Sequence, residues 1–205
     1  MGVVGESLTG TRWNDAATGG HEDEHDPEAA WIAAARHDPA AFAPLYQRYA
    51  TPIYRFVHRK VGDPELANDL TAQIFIKAIE RIDRYRPKPG ATFRSWLFAI
   101  ARNTVTDSWR RQRPTAPLDP VAATLVDRDP GPEPLAIAGD EYAALCAVLD
   151  VLPESQRVIV ELRLAGLTTS EIMATLGMSE PAVKSAQSRA YRRLRELVPP
   201  EGFMR

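Results

Sequence analysis

Lys184, Ser185, Ser188, Arg189, Arg192 and Arg193 recur at helical spacing along one face of a segment that opens with Ser179, Pro181 and Ala182. Small residues at the start of such a helix can approach base edges in a major groove, and cations further along can meet phosphates. The chemistry is ionic and hydrogen-bonded recognition, with no bond made or broken. The preceding stretch, T-T-S-E-I-M-A-T-L-G from Thr168 to Gly177, contains a capping box, Thr168 with Glu171 three residues on. Ile172, Met173 and Leu176 form its apolar face, and Gly177 supplies a sharp turn. Val183, Ala186, Ala190, Leu194 and Leu197 point inward from the second helix. A short capped helix, a glycine turn and a basic second helix are the parts of a helix-turn-helix that reads duplex DNA. The competing reading is a structural hairpin with a solvated basic face. Turn, cap and arginine placement favour DNA.

The chain offers little else that could do chemistry. No Gly-rich phosphate loop, metal-ligand spacing or nucleophile constellation is present, so neither an enzyme nor a cofactor is expected. His21 and His25 stand among acids in H-E-D-E-H, but a polar tail makes a poor metal site. The net charge of -2 conceals strong blocks: residues 1–40 carry -6, 41–113 carry +8, 114–150 carry -6 and 151–205 carry +2. A basic block on an otherwise acidic chain suggests a polyanion partner. Cys146 is the single cysteine, which excludes an intramolecular disulfide and fits a reducing compartment. No apolar run is long enough to span a bilayer, and the acidic N-terminus does not read as a secretory signal. A cytoplasmic protein without membrane insertion is expected.

The elements that must position these residues are all helical. Residues 1–25 lack any apolar period and read as a disordered acidic arm. Asp26-Pro27, Asp38-Pro39 and Asp63-Pro64 each place an N-cap carboxylate before a proline at the first helical position, predicting helix starts near 27, 39 and 64. From Pro64 to about Arg84, Leu66, Leu70, Ile74, Ala78 and Ile82 recur at spacing four, widened by Phe75 and Ile79, opposite Asp69, Gln73, Lys77 and Glu80. R-Y-R-P-K-P-G-A then predicts a loop. A further helix from near Thr92 carries Phe93, Trp96, Leu97, Ile100, Ala101, Thr104, Val105 and Trp109 at helical spacing and ends in arginines. The acidic segment 114–139 contains six prolines and reads as an extended linker. Beyond it, Tyr142, Leu145, Val148, Leu149 and Leu152 predict one helix, and Val158, Ile159 and Leu162 a second from Glu154 to about Ala165. The expected fold is all-α: a module over 26–113, a linker over 114–139 and a second module over 140–200.

These motifs resemble a known family. G-L-T-T-S-E-I-M-A-T-L-G-M-S-E-P-A-V-K-S-A-Q-S-R-A is similar to the region-four helix-turn-helix of bacterial sigma factors, and L-P-E-S-Q-R-V-I-V-E-L-R to the start of that region. A-N-D-L-T-A-Q-I-F-I-K-A resembles the core-polymerase-binding helix of region two, and F-R-S-W-L-F-A-I-A-R-N its promoter-melting helix. Two modules without regions one and three resemble the extracytoplasmic-function (ECF) group of the sigma-70 family. The resemblance implies that Asp69, Leu70, Gln73, Phe75, Ile76 and Lys77 dock on the largest subunit of core RNA polymerase, whose flap is a second contact. It implies that Tyr85, Arg86, Lys88, Phe93, Arg94, Trp96, Arg102 and Asn103 meet the minus-ten promoter element, the loop Tyr85 to Ala91 receiving a flipped base. For Phe93 and Trp96, core packing is the competing role. It assigns Thr168, Ser179, Pro181, Ala182, Lys184, Ser185, Ser188, Arg189 and Arg192 to the minus-thirty-five element. It also implies an anti-sigma partner. The chain departs from the family pattern at Ala186, where arginine is usual, at Gln187, where an apolar residue is usual, and in D-L-T-A-Q, where an acid is absent.

The function expected is promoter recognition and duplex opening as a polymerase subunit. The alternative is a stand-alone helix-turn-helix regulator that binds DNA without polymerase.

Overall fold

The computed structural model describes residues 27–112 and 139–197. The acidic arm, the H-E-D-E-H tract and the linker, apart from Gly139, lie outside the described residues, as does Asp26. Eight α-helices are present: α1 (Glu28–Ala35), α2 (Ala43–Val61), α3 (Pro64–Arg81), α4 (Phe93–Gln112), α5 (Gly139–Asp150), α6 (Glu154–Leu164), α7 (Thr169–Leu176) and α8 (Glu180–Leu197). Short 3₁₀ turns at Pro39–Phe42 and Ile82–Arg84 lead into α2 and out of α3. Among the described residues the only extended pairing is an isolated bridge between Lys88 and Ala91.

Local sequence accounts for the helix starts. The Asp38 carboxylate accepts from the Ala40 amide at 2.9 Å, and Asp63 from those of Glu65 and Leu66 at 2.8 and 3.2 Å. Both satisfy amides that have no partner within the helix. The Pro39 start makes a 3₁₀ turn before α2 begins at Ala43. The stretch expected as one helix to about Arg84 is α3 to Arg81 followed by the second 3₁₀ turn.

The first module packs α2, α3 and α4 against one another, with α1 laid across α2. The stripes expected on α3 and α4 are its interior: Leu70, Ile74, Ala78 and Ile82 meet Leu97, Ala101 and Val105. Aromatic edges tie the layers, with Phe56 against Phe98 at 5.4 Å and Phe42 against both Phe75 and Phe93 at 6.3 Å. In the second module α6 and α7 pack on α8, while Leu149 and Leu152 pin α5 to Val160 and Ala190.

The two modules are packed together, which the expectation of two bodies on a linker did not contain. Helix α7 lies against α4, and Ile159, Leu162, Leu167, Ile172, Val183 and Ala186 belong to the same continuous apolar core as the first module. Polar groups secure the contact. Lys60 on α2 meets Glu161 on α6 at 2.7 Å, with side chains 4% and 1% exposed, and also Glu154 at 2.8 Å. Removing one partner of so deeply buried a pair costs roughly 3–5 kcal/mol, because the other charge is left in the interior.

Candidate nucleic-acid interface

Three faces carry the residues expected to bind. The first is built by α3. Asp69, Gln73 and Ile76 are exposed, with Ile76 at 48% a large apolar side chain open to solvent. Leu70 and Phe75 belong to the core and hold the helix from beneath. Lys77 is half-buried, its ammonium donating to the Thr104 hydroxyl at 3.1 Å. A mixed acid, amide and aliphatic face of this kind suits a protein partner.

The second face joins the loop after α3 to the start of α4. Tyr85 is 6% exposed and packs against Phe93 and Trp96, with ring centroids 5.6 and 5.4 Å away. Burial, before any nearby charge, pushes its phenol above the ordinary range. Arg36 donates to the Tyr85 carbonyl at 2.8 Å, and Arg86 reaches the same carbonyl at 3.0 Å and that of Asp83. Gly90 turns the loop back at φ 75, where a side chain is strained, and the Ala91 amide closes onto the Lys88 carbonyl at 2.9 Å. Lys88, Arg86 and Asn103 are exposed, Trp96 and Arg102 half-buried, and Phe93 is fully in the core. Tyr85 and Phe93 therefore support this surface from below. Trp96, Arg86 and Lys88 present it.

Arg94 on this face is already engaged. Its guanidinium makes a two-pronged contact with Glu171 of α7, Nε to Oε1 at 3.0 Å and Nη2 to Oε2 at 2.7 Å. The Thr92 hydroxyl donates to the same carboxylate at 2.5 Å. Glu171 also accepts from the Thr168 amide at 2.8 Å, while its own amide donates to the Thr168 hydroxyl, so the expected capping box is present. Burial opposes ionisation of Glu171. Arg94, Thr92 and the Thr168 amide outweigh it and hold the carboxyl near a pKa of about 2.

The third face is α8. Lys184, Ser185, Ser188, Arg189 and Arg192 are exposed along one side, with Ser179 and Pro181 exposed and Ala182 half-buried near its start. Val183, Ala186 and Ala190 are buried on the other. Gly177 permits the turn by taking φ 66, and its amide donates to the Met173 carbonyl at 2.8 Å. Lys184 pairs with Glu180 one turn back at 2.6 Å, an exposed contact of small energy. Arg189, Arg192 and Arg193 line an open recess of about 550 Å³ beside Val151, Gln156 and Glu196.

Several contributors had no local signal in the sequence. Thr92, Lys60, Glu161 and the second role of Glu171 depend on partners far along the chain, 77 residues for Arg94 with Glu171 and 94 for Lys60 with Glu154. Arg163 is another. It donates to the Leu167 carbonyl at 3.0 Å, to the Thr169 hydroxyl and to Gln187 at 3.3 Å, joining α6, the start of α7 and the middle of α8. The two departures from the family pattern thereby acquire structural roles. Ala186 is a core residue, and Gln187 accepts a hydrogen bond from α6.

Comparison with known proteins agrees with these three faces. The family model "Sigma-70 region 2" matches residues 45–115, and "Sigma-70, region 4" matches residues 143–194. The ECF RNA polymerase sigma factor BldN of Streptomyces coelicolor is 34% identical over 163 residues, covering 78% of this chain and 61% of that protein. The ECF RNA polymerase sigma factor ShbA of Streptomyces griseus is 35% identical over 172 residues, covering 80% and 88%. A solved structure of CnrH in complex with the cytosolic domain of CnrY superposes with a TM-score of 0.63 at 26% identity, covering 84% of this chain and 97% of that one. The chain belongs to the ECF group of the sigma-70 family of RNA polymerase sigma factors.

Proposed function

We propose that the chain binds bacterial core RNA polymerase and directs it to promoters, acting by binding alone. The observation that carries this reading is the coexistence of an exposed, partly apolar α3 face with a capped helix-turn-helix whose second helix is cationic along its open side. In this reading Asp69, Gln73, Ile76 and Lys77 dock on the largest polymerase subunit, with Leu70 and Phe75 setting the helix beneath them. The start of α8, from Ser179 to Ser188, reads minus-thirty-five base edges, and Arg189 and Arg192 hold phosphates. Arg86, Lys88, Arg94, Trp96, Arg102 and Asn103 follow the minus-ten strand, on a surface buttressed by Tyr85 and Phe93. Residues 26–113 and 140–200 serve as the downstream and upstream halves of a promoter clamp.

The solved relative bound to the cytosolic domain of CnrY supports a regulatory partner of the anti-sigma kind for this chain. No helix among the described residues is long and apolar enough to cross a membrane, in keeping with action in the cytoplasm. Selection of bound fragments from a genomic duplex pool, with and without core polymerase, tests the reading against a stand-alone regulator. Defined sites enriched only with polymerase are expected. The same sites enriched without polymerase, and no complex with it, would overturn the proposal.

A further inference from the structure

The geometry points to an internal latch: the Glu171 carboxylate of α7 occupies Arg94 and Thr92 as a strand phosphate would, so the free chain keeps its single-strand face shut while its duplex-reading face stays open. This inference rests on the strand-binding role proposed for α4.

A guanidinium receives a carboxylate and a phosphate through the same two-pronged geometry. Glu171 presents that geometry to Arg94 at 3.0 and 2.7 Å and takes the neighbouring Thr92 hydroxyl as well. Its capping box fixes the carboxylate in place, so little side-chain freedom is lost in making the contact. The surroundings are closed too. The Thr175 hydroxyl lies 3.1 Å from the Ser95 carbonyl, and Ser170 sits where a side chain on Gly90 would meet it at 3.3 Å. Lys60 with Glu161 locks the far side of the interface. By contrast Lys184, Ser185, Ser188, Arg189 and Arg192 on α8 are exposed, and so are Asp69, Gln73 and Ile76 on α3. Duplex reading and polymerase docking are available in the closed form, whereas strand capture requires α7 to leave α4. Opening is thus placed after docking, which prevents the free chain from taking up single strands indiscriminately.

The test uses the full chain, small-angle scattering to read compaction, and a fluorescent mixed-sequence single-stranded oligonucleotide to read strand binding. Glu171→Gln retains the capping box, since glutamine serves at that position, but removes the charge facing Arg94. Lys60→Gln leaves Glu161 buried without a cation and changes no residue proposed to touch DNA. The two substitutions alter net charge in opposite senses, so a general electrostatic effect moves strand affinity in opposite directions. The latch predicts that both variants expand and that both bind the strand about tenfold more tightly than the parent, the loss of one charge-assisted contact. A parent chain already as expanded as the variants overturns the inference. So do variants that expand with no gain in strand affinity, while leaving the strand-binding role of α4 intact. Failure of every form to bind the strand, expanded ones included, overturns that role as well.

Discussion

Arg163 joins three parts of the helix-turn-helix through one guanidinium, and Gln187 is the receiving group on α8. Arg163→Ala is expected to lower stability by about 2 kcal/mol, because the Leu167 carbonyl and the Gln187 amide lose their donor. Thermal unfolding reads the loss. Gln187→Glu, which keeps an acceptor and adds charge toward Arg163, is expected to leave the melting temperature unchanged or raise it. Glu171 supplies a second prediction at this scale. Its folded pKa lies at about 2, below the ordinary 4.5. A carboxylate with a depressed folded pKa contributes stability that is complete above its unfolded value and disappears as pH falls through the folded one. The stability difference between the parent chain and Glu171→Gln is therefore expected to be full at neutral pH and to vanish as pH falls from 4.5 toward 2. A difference that persists unchanged at the acid end contradicts the ionic role.

At the scale of elements, α8 and α3 separate two kinds of affinity. Arg189→Ala and Arg192→Ala on α8 each remove one cation without disturbing the buried side formed by Val183, Ala186 and Ala190. Each is expected to weaken duplex binding evenly across sequences and to reduce the salt dependence by about one counterion. Ile76→Asp on α3 is expected to abolish polymerase binding while leaving the melting temperature within about 0.5 kcal/mol equivalent, since the side chain is exposed. Helix limits were the part most readable from sequence. Asp38, Asp63 and the Thr168–Glu171 box cap helices through neighbours within three residues, and such short-range signals survive in any tertiary setting. The inward stripes of α3 and α4 were readable for the same reason, as helical period reports burial directly. The direction of Tyr85 and Phe93 was not, because an aromatic beside a loop can stack on a base or on its neighbours with equal local logic.

At the scale of the whole molecule, the sequence announced two basic modules but not their contact. Lys60 and Glu161 meet only because α2 and α6 are brought together by the shared apolar core, and no periodicity connects positions so far apart. The same holds for Arg94 and Glu171. What emerges is a chain that can present its polymerase-docking and duplex-reading faces at once, with the strand-capturing face covered by its own second module. The central claim is that these faces serve promoter-directed transcription. Run-off transcription with core polymerase over a pooled genomic template library tests it most directly. The account predicts discrete transcripts that require the chain, start downstream of a common sequence and disappear with Ile76→Asp. Folded chain that yields no promoter-dependent transcripts with core polymerase would contradict it.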